Sequence, residues 1–597
     1  MKAKRIVALG LTAILLMGAV AGCGADGKTE QTTESAAPGG AGTADDSAQT
    51  DTKEAVDDQT ADGEADPWVL AATDPYTPYP DTVNYTIGVT VDPSRTYPED
   101  WENGSPEHSA YTEFYKAKLN VQNTDYFEAA DGDDYRTKVS MAISSGDLPD
   151  IMAVTHEELV ALVENDLVED LTEAYNNCAS DLMREIYDSY EGRALDMATF
   201  DGKLYAMPTT NISGGPEFLW LRKDWMDQLG LQEPETLADV EAIVTAFVEK
   251  DPGNNGAGKT VGIPLCTTES NFLYGNYSSA YKMNNVFTMF GAYPEQWIKT
   301  ADGSVGYGSV QPEMKEGLTV LADWYAKGLI DKEFSTRKYA EVTSLITDGR
   351  CGSVFAGWWL PYDLGGCYEL NPDAEWVSYL LPAGADGKVT TWTGNPNQEV
   401  YFVVRKGFEH PELLVKIKSL TLDYNQGDAA YSDDSAEAVA YMEWVNHGYG
   451  IEFIGGFDWY DAVARSYTHI KEAIDGTRDP QNMTAYENSL YESCKSYLAS
   501  VEAGEQPEKQ NWIDYNCRMV AAKQMLEADV NSVNPVFFGQ TESMGMLWET
   551  LRTLERKTAM QIVTGEIPVS EFDTFVEEWK AVGGDTITAE VSEQAGN

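Results

Sequence analysis

The sequence predicts an α/β protein of two domains, on three observations. Its 597 residues are enough for more than one hydrophobic core, at ~100–200 residues per domain. From residue 83 onward strand signals alternate with helix signals, the pattern that builds a parallel sheet covered by helices. A Gly/Pro break at Gly214-Gly215-Pro216 interrupts the alternation and marks a first crossing between domains.

The β-branched run Val83 to Thr90 reads as the first strand, and Val121 to Phe127 as the second. Asp131-Gly132-Asp133-Asp134 supplies carboxylates suited to a helix N-terminus, and Val139, Met141, Ala142 and Ile143 continue with apolar periodicity. Ser145-Gly146 stops that helix, and Ile151 to Val154 begins a third strand. A helix from Glu157 to Glu164 follows. Asp201-Gly202-Lys203-Leu204-Tyr205-Ala206-Met207-Pro208 reads as a turn into a strand, and Phe218 to Arg222 as another strand. Leu237 to Lys250 is an amphipathic helix with Leu237, Val240, Ile243, Val244 and Phe247 on one face. A helix near Pro312 to Lys327 and an apolar strand over Cys351 to Ala356 come next. Val377 to Leu381 and Glu399 to Val404 read as strands returning to the first domain. From Pro411 the chain is mostly helical, closing with Glu571 to Ala581 and a Gly583-Gly584 stop. No internal repeat is visible.

Composition narrows the function. With 41 Lys and Arg against 98 Asp and Glu, the net charge is −57, which excludes nucleic acid as a partner and binding to anionic headgroups through charge. Five histidines and no H-E-x-x-H argue against a zinc enzyme. No G-x-S-x-G nucleophile elbow is present, and no carboxylate pair stands out for glycoside hydrolysis. Beyond Cys23, six cysteines (Cys178, Cys266, Cys351, Cys367, Cys494 and Cys517) are scattered without a C-x-x-C pair, and spacing does not choose among disulfide sets.

Gly253 to Thr260 satisfies the phosphate-loop pattern G-x-x-x-x-G-K-[ST] literally. A phosphate loop needs a strand before it and a helix after it, so that helix-terminal amides face the phosphates. Here the helix comes first and the strand-like run Val261 to Leu265 second, which removes the nucleotide reading. The same loop places Asp251, Asn255 and Gly256 where a calcium loop carries them, but Gly253 and Lys259 replace two oxygen donors. No cofactor is expected, and Asp251 and Asn255 are only a candidate for calcium. Fifteen tryptophans and thirty-three tyrosines are a heavy aromatic load. Trp101, Trp392 and Trp459 lie in polar, turn-like surroundings, and Trp358-Trp359 stands at the exit of a buried strand. Indole faces there suit the apolar C–H faces of sugar rings.

At the N-terminus Lys2, Lys4 and Arg5 precede an apolar run from Ile6 to Ala21, the layout of a secretory signal. Val20-Ala21-Gly22-Cys23 resembles the lipobox of bacterial lipoproteins, which implies removal of residues 1–22 and lipidation of Cys23. From Gly24 to Pro80 thirteen Asp and Glu face only Lys28 and Lys53, and residues 23–80 are expected to form a disordered acidic tether.

The mature body resembles the sugar-type extracellular solute-binding lipoproteins of bacterial ABC importers, in particular the large oligosaccharide-binding, maltose-binding-protein-like group. Gly146-Asp147-Leu148-Pro149-Asp150-Ile151, Asp201 to Pro208, Leu221-Arg222-Lys223-Asp224-Trp225, Asp251 to Gly262, Ala356-Gly357-Trp358-Trp359 and Phe572 to Asp585 carry the likeness. It implies a two-lobed periplasmic-binding-protein-like fold with an interlobe cleft and a helical C-terminal region. Lobe 1 would take 81–212 and 399–455, and lobe 2 would take 213–398 and 456–597. Thr155, His156 and Glu157 would bond sugar hydroxyls from the first lobe, and Trp358 and Trp359 would stack from the second. Asn211 falls in the hinge stretch, and Tyr274, Trp392, Trp459 and Trp101 follow from loop position. The implied protein is a monomer on the outer face of the cell membrane. It captures a carbohydrate for permease subunits and catalyses nothing. The rival readings are a receptor for a peptide or other polar solute, a secreted glycoside hydrolase, and a structural surface protein.

Overall fold

The computed structural model describes residues 66–91, 107–130, 132–267, 272–275, 280–381, 387–397, 400–427, 429–446 and 456–595. Cys23 and Trp101 lie outside them, as does the signal segment.

The first lobe is built on a five-stranded sheet. Its order is Val121–Ala130, Val83–Val91, Ile151–Val154, Tyr401–Val404 and Met207–Pro208. The first three strands run parallel, joined by helix Ala110–Leu119, which the sequence reading did not place, and by helix Asp133–Ser145, which it did. Tyr401–Val404 returns antiparallel between Ile151–Val154 and Met207–Pro208. Asp150 ties this return in place. One carboxylate oxygen accepts from the Thr86 N–H and hydroxyl, both at 2.8 Å, and the other from Arg405 Nη2 at 2.6 Å. Gly88 is required at the register shift of the first strand, because a Cβ there would lie 2.4 Å from the Phe127 ring.

The second lobe holds an antiparallel three-stranded sheet in the order Ser353–Ala356, Phe218–Arg222, Trp376–Tyr379. Trp376–Tyr379 therefore stays in the second lobe, where the sequence reading returned it to the first. A short apolar strand carries no label for its partner, and here that partner is Phe218–Arg222. Helices Leu237–Lys250, Met314–Lys327, Glu542–Val563 and Glu571–Trp579 pack around a core that includes Val244, Phe247, Leu321, Leu551 and Phe575. The C-terminal region is helical except for Val530–Val533, which pairs in parallel with Val389–Trp392. Gly583-Gly584 is a kink and not a stop: Gly583 has φ of +140° and a further helix, Asp585–Gln594, follows. The six cysteines Cys178, Cys266, Cys351, Cys367, Cys494 and Cys517 are all buried as free thiols.

Two other expectations are corrected. Phe457 and Trp459 still belong to the first-lobe core, whereas Val463 belongs to the second, so the third crossing falls after residue 456. The stretch 23–80 is not tether throughout, since Pro67–Thr73 is a helix docked on the first lobe with Ala71 fully buried. The reason lies some 340 residues downstream. Lys416, buried, extends its ammonium to the carbonyls of Ala71 and Asp74 at 2.6 Å and of Thr77 at 2.8 Å, and Tyr79 Oη donates to Glu412 at 2.9 Å. Replacing Lys416 by Met strands those carbonyls. It should cost about 2 kcal/mol of stability, and amide hydrogen exchange should show protection lost over residues 67–79 first. Unchanged protection there would contradict the role given to this ammonium.

Candidate functional site

The chain passes between the lobes three times, and the three passages lie side by side. Thr209 N–H donates to Val400 O at 2.9 Å, Thr210 N–H to Gly456 O at 2.7 Å, Asn211 N–H to Pro396 O at 2.8 Å and Ser213 N–H to Tyr460 O at 2.8 Å. Side chains close the ladder. Asn397, almost fully buried, donates through Nδ2 to Ala194 O at 3.0 Å and to Thr209 O at 2.9 Å. Asn211 Nδ2 donates to Asn395 O at 3.0 Å, so Asn211 acts within the hinge, where the sequence placed it. Asp458 donates its N–H to the Thr210 hydroxyl at 2.8 Å, and burial pushes its carboxyl up to about 6. Sequence reasoning missed Asn395, Asn397 and Asp458, although Gly394-Asn395-Pro396-Asn397 is a turn signal between two strands.

Next to the hinge, strands of both lobes end. In the first lobe Val154 gives way to Thr155, whose hydroxyl caps the helix His156–Glu164 by accepting from the Glu158 N–H at 3.2 Å, while Glu158 accepts from the Thr155 N–H at 2.8 Å. His156 is half-buried and burial lowers its pKa, so its ring is neutral at pH 7. Its Nε2 lies 3.1 Å from Met197 O. A neutral ring donating there keeps Nδ1 as an acceptor, available to a hydroxyl. Glu157 is exposed. A second-lobe segment reaches this ring: a Cβ on Gly539 would come 3.7 Å from His156 Cε1.

In the second lobe Ala356 leads into Gly357-Trp358-Trp359. The pair is less open than its sequence setting suggests, each ring being under a tenth exposed. Trp358 carries the Arg518 guanidinium at 4.5 Å from its ring centre. Arg518 is fixed in turn by the Ser466 hydroxyl at 3.2 Å and Tyr486 Oη at 2.9 Å. It sits on the π-helical turn Asn516–Ala521, 160 residues beyond Trp358, too far for any local pattern to signal. Trp359 folds back over Gly357, where a Cβ would lie 2.6 Å from its indole nitrogen. Behind them Glu217 accepts from the Asn285 N–H at 2.8 Å, and burial pushes its carboxyl up to about 8, while burial pulls the Lys282 ammonium down to about 8.

The remaining candidates among the described residues are buried side chains. Tyr274 is core, packed edge-on against Phe272 and Phe287 at 4.9 and 5.0 Å. Trp459 is buried in the first lobe with its indole N–H on Glu185 at 2.9 Å and Arg465 over its ring at 4.2 Å. Trp392 is buried in the strand beside Val530–Val533.

The Asp251 loop does not fit calcium. One Asp251 oxygen accepts from the Asn255 N–H at 3.0 Å and the Thr260 hydroxyl at 2.6 Å, and the other from the Gly256 N–H at 2.8 Å. These bonds hold the carboxyl below its ordinary pKa, the Thr260 hydroxyl most of all. Asn255 Nδ2 spans to Thr260 and to Gly349 O, both at 3.0 Å. Gly253 has no room for a carboxylate, since a Cβ there would lie 2.7 Å from Trp225 Cζ2. No cluster of three metal-binding side chains occurs among the described residues. Neither EDTA nor millimolar calcium should therefore move the melting temperature, while Thr260→Val should lower it. A calcium-dependent rise would contradict this reading of the loop.

Comparison with known proteins agrees with this architecture. Residues 100–420, more than half the chain, match the family described as bacterial extracellular solute-binding protein. The fructooligosaccharide ABC transporter substrate-binding protein FusA of Streptococcus pneumoniae is 31% identical over 216 residues, 34% of this chain and 38% of FusA. The polygalacturonan/rhamnogalacturonan-binding protein YtcQ of Bacillus subtilis is 22% identical over 66% of this chain and 70% of its own length. Among solved structures, the HMO-binding, ABC-transporter-associated solute-binding protein of Bifidobacterium longum infantis superposes with a TM-score of 0.57 at 14% identity, covering 86% of this chain and 98% of that one. FusA in complex with kestose gives 0.54 at 18% identity, over 86% and 98%. With two α/β lobes, three adjacent crossings and this match, the chain belongs to the bacterial extracellular solute-binding proteins, and its place is outside the cytoplasm.

Proposed function

We propose that this chain is a lipid-anchored receptor that closes its two lobes on a carbohydrate, an oligosaccharide, and passes it unaltered to an ABC permease. The observation that carries the reading is the hinge. Three hydrogen-bonded crossings lie together, and the strand ends at Thr155-His156-Glu157 and Gly357-Trp358-Trp359 stand beside them, one on each lobe. Ligands of α/β sheets bind where strands end, and adjacent crossings allow one lobe to rotate on the other. His156 and Glu157 would supply hydroxyl partners, and Trp358-Trp359, backed by Arg518, the apolar face. The binding activities for which FusA and YtcQ are named support sugars as the class of ligand. Cys23 is the proposed lipid attachment, and Lipoprotein LipO of Bacillus subtilis, 29% identical over 134 residues, is consistent with it. A soluble monomeric body acting without chemistry completes the reading.

The test is a thermal-shift screen against oligosaccharides, with the ligand recovered and sized afterwards. At ~100 times its dissociation constant a ligand adds about 2.7 kcal/mol, a rise of a few degrees. The reading expects that rise, intact sugar, and about tenfold weaker binding in Glu157→Ala at an unchanged melting temperature of the free protein. Fragmented sugar would make the protein a hydrolase, and a flat panel would redirect the search to peptides.

A further inference from the structure

Two buried cations flank the Trp358 segment, and neither has an ion pair within 4.0 Å among the described residues. Lys282 is 3% exposed, and its ammonium makes no hydrogen bond to a described residue. Arg518 is 6% exposed; its hydrogen bonds go to the neutral hydroxyls of Ser466 and Tyr486, and its Nε has no partner. A buried charge is costly unless an opposite charge meets it. In a chain of 98 acids against 41 bases such partners are plentiful. Buried Arg222, by comparison, holds Asp224 through two hydrogen bonds, at 2.7 and 2.5 Å. The carboxylates that Lys282 faces do not answer its charge. Glu295 is taken by Arg556 at 3.4 Å and Arg552 at 3.9 Å, and burial pushes the Glu217 carboxyl up to about 8, so it is largely protonated at pH 7. Asp458 and Asp514 lie in the field of Arg518 without reaching it.

Both cations stand at the cleft end of the three-stranded sheet. Ala356 pairs with Phe218, so the next step of the register sets Glu217 against Gly357, directly before Trp358. Tyr281 N–H donates to Phe355 O at 3.0 Å, which brings Lys282 to the same strand end. Tyr281 is held at φ of +64°, rare for an aromatic residue, with its hydroxyl on Asp363 at 2.8 Å. This turn fixes where the Lys282 side chain begins. Arg518 lies against the Trp358 ring itself. We propose that the second lobe binds the carboxylate of an acidic sugar: Lys282 pairs with it directly and Arg518 supports it as a fixed charge at Trp358, a proposal that rests on the receptor reading above. The ligand is then an oligosaccharide that contains uronic acid. Its carboxylate supplies the anion that the fold leaves out. The net charge of −57 does not oppose this at close range, since charges farther away than about 8 Å are largely screened at physiological salt.

The experiment is calorimetric titration of the whole chain with trimers of galacturonate, glucuronate and mannuronate, each beside its carboxyl-reduced neutral counterpart, and with kestose and maltotriose. The expected result is that an acidic trimer binds and its neutral counterpart binds about tenfold more weakly. Lys282→Met should bring the acidic trimer down to the affinity of the neutral one. That variant also removes a charge facing Glu217 and Glu295, so the double variant K282M/E217Q separates the two roles. It should regain the melting temperature that K282M loses and keep the weak binding. Recovery of affinity in the double variant, an undiminished preference in K282M, or binding confined to neutral sugars overturns the proposal and leaves the receptor standing. Failure of every sugar to bind overturns the receptor reading and this proposal with it.

Discussion

The architecture depends on the chain crossing between its lobes three times at one place. Each crossing leaves backbone donors and acceptors that belong to neither sheet, and they are satisfied by one another and by side chains of the crossings. Asn397 shows how strictly this is solved: its buried amide donates to the Thr209 carbonyl of the neighbouring crossing and to the Ala194 carbonyl on the short helix Arg193–Asp196. Because these bonds lie among the crossings, one lobe can turn on the other with little loss of packing in either core. The separate cores, one around the five-stranded sheet and the other around the three-stranded sheet, give each lobe its own rigidity.

The cleft follows from that constraint. The strands Ile151–Val154 and Ser353–Ala356 end near the crossings, and each hands the chain to a helix at the mouth, His156–Glu164 on one side and Pro361–Leu370 on the other. Polar groups there are disciplined and not spare. Thr155 is spent on a cap, Asn211 on the hinge, and His156 on Met197, while Glu157 is exposed. Trp358 and Trp359 are held from behind by Arg518 and Gly357, so the apolar surface they offer is small and fixed in direction. Few oriented groups on rigid supports suit recognition of a polar ring without chemistry.

Most of the first lobe was legible in the sequence because its order comes from local periodicity and from chain order, as in the run from Val83 to Glu164. The parts that were not legible depend on distant partners. The helix Pro67–Thr73 lies in an acidic, Gly- and Ala-rich context that predicts disorder, and the partners that order it, Lys416, His410 and Cys178, lie far along the chain. Trp376–Tyr379 has the composition of any buried strand, and its lobe is decided by pairing. At the site, family likeness alone pointed to Asn211 and to His156. Loop position pointed to Tyr274 and Trp459, and both are buried here. Arg518 gave no signal because its meaning lies entirely in the ring it covers.

The most direct test of the account is small-angle X-ray scattering of the protein with and without a saturating oligosaccharide that raises its melting temperature. Closure of two lobes about three adjacent crossings predicts a smaller radius of gyration in the bound state, with the sugar recovered whole. A bound sugar that leaves the radius of gyration unchanged would contradict the hinge as the working part of this molecule.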